Sequence, residues 1–288
     1  MPDPLSELVP TIIPEPMNRK SLHLFPRLLA TLLLVTMLSA CATSPEGRRQ
    51  LKLLPDEQID AMGVESFAQI KQQTPATQDP KIQAYVECIA RQIIPQVRQQ
   101  PDAAAWEVVV FDDSQANAFA LPGYKIGVYT GLLEYARNQH QLAAVMGHEI
   151  AHVIAGHGNE RVSEQLAAQA GMTAAAILLG EQQDSNTRLI LAGLGLGIQY
   201  GIILPFSRAH ESEADLIGLE LMAKSGFKPE ESVSLWQNMS QSGLSPPELL
   251  STHPSGDTRI RQLRERMPKA DKLYRQAQAS GKRPDCRL

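Results

Sequence analysis

Apolar positions divide the chain into one short early run and a long body of helical and alternating patterns. Residues 28–38 are apolar apart from two threonines. Eleven residues are too few for a spanning helix, which needs about 20. Beyond this run, Pro55-Asp56-Glu57 opens a helical pattern that reaches about Gln73. Asp79-Pro80 opens a second, with Ile82, Tyr85, Val86, Ile89 and Ile93 at helical spacing. The β-branched run 106–111 predicts a strand. After the turn-prone Asp112-Asp113-Ser114, residues 118–121 and 125–129 predict two short strands around Pro122-Gly123. A short helix follows over 130–137. Asn138 then caps a helix to about Ala155, which stops near Gly156 and Gly158.

Residues 161–204 are rich in Ala, Gly, Leu and Ile. Their apolar stretches, 170–179 and 189–204, are shorter than a bilayer requires. Gly193, Gly197 and Gly201 recur every four residues, a spacing that permits close helix packing. Buried core helices are the expectation, with a flap facing membrane or substrate as the alternative. Residues 207–225 predict another helix, and Lys228-Pro229-Glu230 opens the next with proline in its first turn. Two helices, 257–267 and 269–280, complete the pattern.

The central helix carries His148-Glu149-Ile150-Ala151-His152. Histidines four apart stack one turn above each other on one face, so both imidazoles can reach one zinc ion. Glu149 projects beside that face, where it can take a proton from water activated by the metal. A catalytic zinc keeps three protein ligands and an open position, so a third ligand is required. A histidine six residues after His152 would complete one known arrangement, but that position is Gly158. His157 lies about 140° round the helix from His152 and reads as a surface or helix-end histidine near the C-terminal dipole. On the later helix, Glu211 and Asp215 share one face. They suit a metal ligand and a carboxylate that orients His148 or His152 through its other ring nitrogen. Glu213 points roughly 160° away from that face and is expected in solvent.

Composition adds the compartment. The chain has 288 residues, 43% hydrophobic and 20% charged, with a net charge of −4. No basic excess points to nucleic acid. Arg19, Lys20 and Arg27 precede the apolar run, and Leu38-Ser39-Ala40-Cys41 follows it, the layout of a secretory signal peptide ending in a lipidation motif. Met17-Asn18-Arg19-Lys20 is a more natural start for such a segment than Met1. Cys41 would carry lipid, and Ala42 after it suits sorting to the outer membrane. The reading is a signal peptide over 1–40, a polar lipidated tether over 41–54, a domain carrying the zinc motif over 55–267 and a C-terminal helix and tail over 268–288. In an oxidising periplasm the two remaining cysteines, Cys88 and Cys286, are expected to form a disulfide.

The HExxH run, the Ser207-Arg208 to Asp215 segment and Thr252-His253-Pro254 together resemble metallopeptidase family forty-eight. Asn117-Ala118-Phe119-Ala120-Leu121-Pro122-Gly123 and Thr130-Gly131-Leu132-Leu133 also resemble its strand segment, although Tyr124 stands where a second glycine is expected. The similarity covers about residues 55–267 and is nearest to the lipoprotein members without a tetratricopeptide domain. It implies an α+β, mostly helical, minigluzincin-like fold with a small antiparallel sheet packed on the HExxH helix. It also implies one Zn2+ per chain held by His148, His152 and Glu211, with Glu149 as general base and Asp215 behind a histidine. His253 matches a histidine that closes the site as a fourth ligand in some members, and otherwise could stabilise the oxyanion. Arg208 is a second oxyanion candidate, or an ion-pair partner of Asp215 or Glu149. The implied activity is endopeptidase cleavage of unfolded or misassembled envelope proteins, with contacts to outer-membrane assembly machinery and no nucleic acid. An extended substrate would add to the strand at 118–121 or at 125–129. The rival reading is a latent or non-catalytic lipoprotein that holds folding clients.

Overall fold

Asn138 starts the helix that organises the molecule, its side chain accepting from the backbone N–H groups of His140 and Gln141. In this computed structural model, which describes residues 41–97, 105–178, 207–240 and 257–288, the elements are numbered in chain order. The segment 1–40, the glycine-spaced stretch and His253 lie outside the described residues. The described elements from Ala42 onward belong to one unit, residues 42–288. Within that unit, the helix begun at Asn138, α3 (Gln139–Ile154), is buried over every residue from Gln141 to His152. Such a helix must be covered all round. Around it pack α2 (Pro80–Ile93), α5 (Arg208–Lys224), α6 (Glu231–Ser240) and a small sheet.

The sheet comprises β3 (Glu107–Phe111), β4 (Ala118–Leu121) and β5 (Lys125–Tyr129), in the order β3-β5-β4. β5 runs antiparallel to β4 but parallel to β3, with Val109 opposite Gly127. The fold is α+β and mostly helical as expected, whereas the sheet is mixed rather than antiparallel. The chain leaves β3 for the far side of the sheet, and the hairpin then returns β5 between the two. β5 is therefore central and β4 lies at an edge.

Gly123 and Tyr124 turn that hairpin with φ of 76° and 63°. The left-handed conformation at Tyr124 explains why glycine is expected there; the ring instead packs edge-on against Trp106, with centroids 5.3 Å apart. On the sheet's α1 side (α1 is Asp56–Gln73), Phe67 packs against Phe111 and Phe119.

Two further sequence expectations change. The stretch read as a polar tether folds into a ribbon of β1 (Cys41–Thr43) and β2 (Arg49–Leu51). Gln50 is buried and donates to Ala155 O at 2.6 Å and to Glu160 Oε2 at 2.9 Å, so protein groups replace water around this polar segment. The two C-terminal helices are one, α7 (Asp257–Ala279), which continues through Pro268. Leu263 and Ala270, on either side of the exposed proline, are both buried in one core. Packing on both halves outweighs the roughly 3 kcal/mol that an interior proline costs. The end of α3 is as expected: Gly156, with φ of 68°, closes it in a left-handed turn, and α4 (His157–Leu178) begins directly after.

Cys88 and Cys286 form a disulfide across a separation of 198 residues. The tail it holds also grips the start of α3, where Cys286 N donates to Gln139 Oε1 at 2.9 Å. Cys286→Ser should cost about 2–4 kcal/mol and lower the melting temperature by roughly 5–12 °C. Unfolding of oxidised protein measures this; an unchanged midpoint would mean the bridge adds no stability. No helix among the described residues is long and apolar enough to cross a membrane.

Candidate metal centre

Two glycines let α3 and α5 meet backbone to backbone. A Cβ at Gly218 would lie 2.7 Å from the backbone nitrogen of His148, and one at Gly147 would lie 2.9 Å from Gly218 O. No other residue fits that approach, which brings the histidine face of α3 against the carboxylate face of α5. Gly218→Ala should cost about 1–3 kcal/mol through overpacking. It should also weaken metal binding, because the displacement begins at His148. Unfolding and metal titration of one preparation would test both effects, and wild-type values for both would refute the steric reading.

His148, His152 and Glu211 are 2%, 2% and 4% exposed, and donor atoms from all three lie within 4.8 Å of one another. His148 Nε2 and His152 Nε2 are 3.1 Å apart, and they stand 3.5 and 3.4 Å from the Glu211 oxygens. A tetrahedral zinc ion with bonds of about 2.0–2.1 Å sets its ligand atoms about 3.3–3.4 Å apart. The donor set and its spacing therefore fit such an ion.

On the His148 side, Nδ1 lies 3.0 Å from Asp215 Oδ1, which leaves Nε2 aimed at the other donors. Asp215 is in turn held by Arg259, whose Nε is 2.5 Å from Oδ2 and whose second nitrogen donates to Glu211 Oε2 at 2.7 Å. The guanidinium lies over Trp236, 3.8 Å from the ring centroid. Formally, Glu149, Glu211 and Asp215 against one arginine leave two negative charges among the described residues, the complement of a divalent cation. Burial and the Arg259 charge oppose protonation of His148, yet bonds to Asp215 and Glu211 win and raise its pKa to about 9.

The sequence reading missed Arg259. Two buried carboxylates on one helix face demand a cation, but spacing alone does not say which arginine supplies it. Arg208, weighed as an oxyanion group or as an ion-pair partner of Asp215 or Glu149, is the exposed first residue of α5, and the pairing with Asp215 belongs to Arg259. The first turn of α5 leaves Arg208 in solvent, while α7 presents Arg259 across the buried face.

The His152 side corrects two further expectations. His157 is fully buried rather than at the surface, and its Nδ1 lies 3.0 Å from His152 Nδ1. The left-handed turn at Gly156 breaks the helix on which the 140° estimate rested. Glu213 is 5% exposed rather than solvated, with Oε2 3.2 Å from His157 Nε2 and 3.0 Å from Arg48 Nε. The β1–β2 ribbon covers the face of α5 that a lone helix would show to water.

Glu149 is 2% exposed and sits next to His148 in sequence without joining the donor cluster. With His152 it lines a cavity of about 970 Å³ whose other walls include Ala118, Ala120 and Leu121 of β4 and residues of the ribbon. Beyond β4 there is no further strand among the described residues. Between the two strands proposed for substrate pairing, only β4 has a free edge, since β5 is paired on both sides.

Residues 80–267 match the family described as Peptidase family M48. The chain is 37% identical over 168 residues to the mitochondrial metalloendopeptidase OMA1 of Schizosaccharomyces pombe, covering 57% of this chain and 48% of that protein. It is 30% identical over 257 residues to the beta-barrel assembly-enhancing protease of Yersinia pestis, covering 83% and 52%. The protease of the same name in Escherichia coli (strain K12) is 28% identical over 212 residues, covering 71% and 43%. The chain thus spans about half the length of these curated relatives.

Proposed function

Because the chain belongs to peptidase family M48, we propose that it is a zinc metalloendopeptidase that cuts unfolded or misassembled envelope proteins. The observation that carries this reading is the meeting of two histidine Nε2 atoms and a glutamate carboxylate at 3.1–3.5 Å, beside Glu149 and at the wall of a cleft. His148, His152 and Glu211 would hold one zinc ion, which supplies Lewis-acid polarisation of a carbonyl and acidification of water.

The chain's own groups supply the rest. Glu149 takes the proton of the attacking water and later delivers it to the leaving amine. Asp215 keeps His148 in the tautomer that presents Nε2, and Arg259 holds Asp215 in place. The free edge of β4 receives an extended peptide by main-chain pairing, which reads backbone and so favours unfolded chains. His253 is the proposed fourth ligand or oxyanion donor on the strength of the family motif. His253→Ala should raise basal cleavage if it closes the site and abolish cleavage if it stabilises the oxyanion.

A periplasmic position at the outer membrane, held by lipid on Cys41, is supported by the basic, apolar and small-residue order of residues 19–41. Two bacterial relatives are named for beta-barrel assembly, whereas the OMA1 relative is mitochondrial. Proteolysis of casein and of an unfolded outer-membrane protein should stop with a chelator and return with zinc. Cleavage that persists without metal would overturn the reading. Cys41→Ala should release the protein from the membrane fraction.

A further inference from the structure

A continuous path of polar contacts runs from the N-terminal ribbon to a proposed zinc ligand. Arg48, between β1 and β2, donates from Nε to Glu213 Oε2 at 3.0 Å, and its other two nitrogens reach Glu160 at 2.5 and 2.6 Å. Glu213 also accepts from Glu46 N at 3.3 Å. His157 Nε2 lies 3.2 Å from Glu213 Oε2, and His157 Nδ1 lies 3.0 Å from His152 Nδ1. Each group beyond Arg48 is buried.

The order of donors along this path has one consistent solution once His152 serves a metal through Nε2. Its Nδ1 must then carry the hydrogen and donate to His157 Nδ1. His157, accepting at Nδ1, carries its own hydrogen on Nε2 and donates to Glu213. Glu213 serves as the acceptor at the end of the path, where Arg48 Nε and the Glu46 amide also donate to it. Reversing either imidazole bond would place the hydrogen on His152 Nε2, where a metal needs the lone pair.

We propose that Arg48, Glu213 and His157 form a positioning chain that fixes the tautomer and ring orientation of His152, so that the N-terminal ribbon is part of the metal site. It does for His152 what Asp215 and Arg259 do for His148, from a different segment of the chain. The inference rests on the zinc-peptidase reading above. A second group, Glu160, Glu164 and His210, has donor atoms within 4.8 Å, but Arg48 already occupies both Glu160 oxygens. That group is better explained as the anchor of the ribbon than as another metal site.

The test is zinc affinity of the purified full chain by competition with a chelating dye, with kcat and KM on an unfolded substrate measured in parallel. Glu213→Gln keeps the shape and removes the charge. It should raise the zinc Kd roughly 10–100-fold and lower kcat while KM stays within about twofold. Arg48→Ala should raise the Kd about tenfold. Arg266→Ala is the control, because Arg266 ties the ribbon to the body through Glu46 and Glu220 without touching Glu213. It should leave the zinc Kd unchanged.

A folded Glu213→Gln protein with wild-type zinc affinity would overturn the proposal, as would an equal loss in Arg266→Ala. If Glu213→Gln does not fold, Arg48→Ala decides by the same criterion. The Kd is read without proteolysis. A wild type that binds zinc and cleaves nothing therefore sinks the peptidase reading, whereas unchanged affinity in the variants sinks only the positioning chain.

Discussion

Glu149→Gln should leave zinc bound at wild-type stoichiometry and reduce peptide hydrolysis roughly a thousandfold. The amide has nearly the same volume as the carboxylate, so the buried helix around it, Gln141 to His152, need not repack. It cannot accept the proton of the attacking water. Glu149 stands outside the group formed by His148, His152 and Glu211, so metal retention is expected. Zinc content by atomic absorption and cleavage of an unfolded outer-membrane protein, followed on gels, measure the two halves. Cleavage by the variant at the wild-type rate would remove Glu149 from the mechanism. The rival reading, a client-binding lipoprotein with a closed or structural metal, predicts no difference between the two proteins in either measurement.

Arg259→Ala should lower stability by about 3–5 kcal/mol, the cost of breaking a buried ion pair from one side. For a chain of this length that is roughly 10 °C in melting temperature. Glu211 and Asp215 would keep their negative charges at 4% exposure each and lose the guanidinium that faces both. The loss should be largest in chelator and smaller with zinc present, because a divalent cation beside Glu211 offsets part of the missing charge. Arg259→Lys should fall between the two, since one ammonium cannot reach both carboxylates as a fork or stack as a plane on Trp236. Thermal unfolding of the three proteins, with chelator and with zinc, distinguishes these cases. If Arg259→Ala melted within about 2 °C of wild type in chelator, the arginine would not be the cation that makes two buried carboxylates tolerable.

The chemistry of the centre was readable from spacing. Two histidines four apart can only share a helix face, and Glu211 and Asp215 obey the same rule four residues apart on a second helix. The cap at Asn138 was equally legible, and its side chain accepts from the backbone N–H groups of His140 and Gln141. Local rules of this kind depend on neighbours in the chain, and the chain displays them.

What surrounds the centre was not readable in that way. The angular estimate placed His157 away from His152 and Glu213 in water because it assumed one unbroken helix and one isolated helix. The turn at Gly156 reverses the first conclusion, and the β1–β2 ribbon at residues 41–51 reverses the second. A polar ribbon segment looks like a tether until its partners, Glu160 and Glu213, are found more than a hundred residues away. Arg259 is a further case, one arginine among many until α7 packs on α5.

The sequence alone therefore determined which candidate metal donors and carboxylates share a helix face, because helical spacing orients side chains locally. Tertiary structure decided which strand keeps a free edge, which arginine balances the buried carboxylates and what stands behind His152. Those depend on contacts between distant segments, made possible by the glycine approach of two helices and by buried polar groups that must find partners once water is excluded.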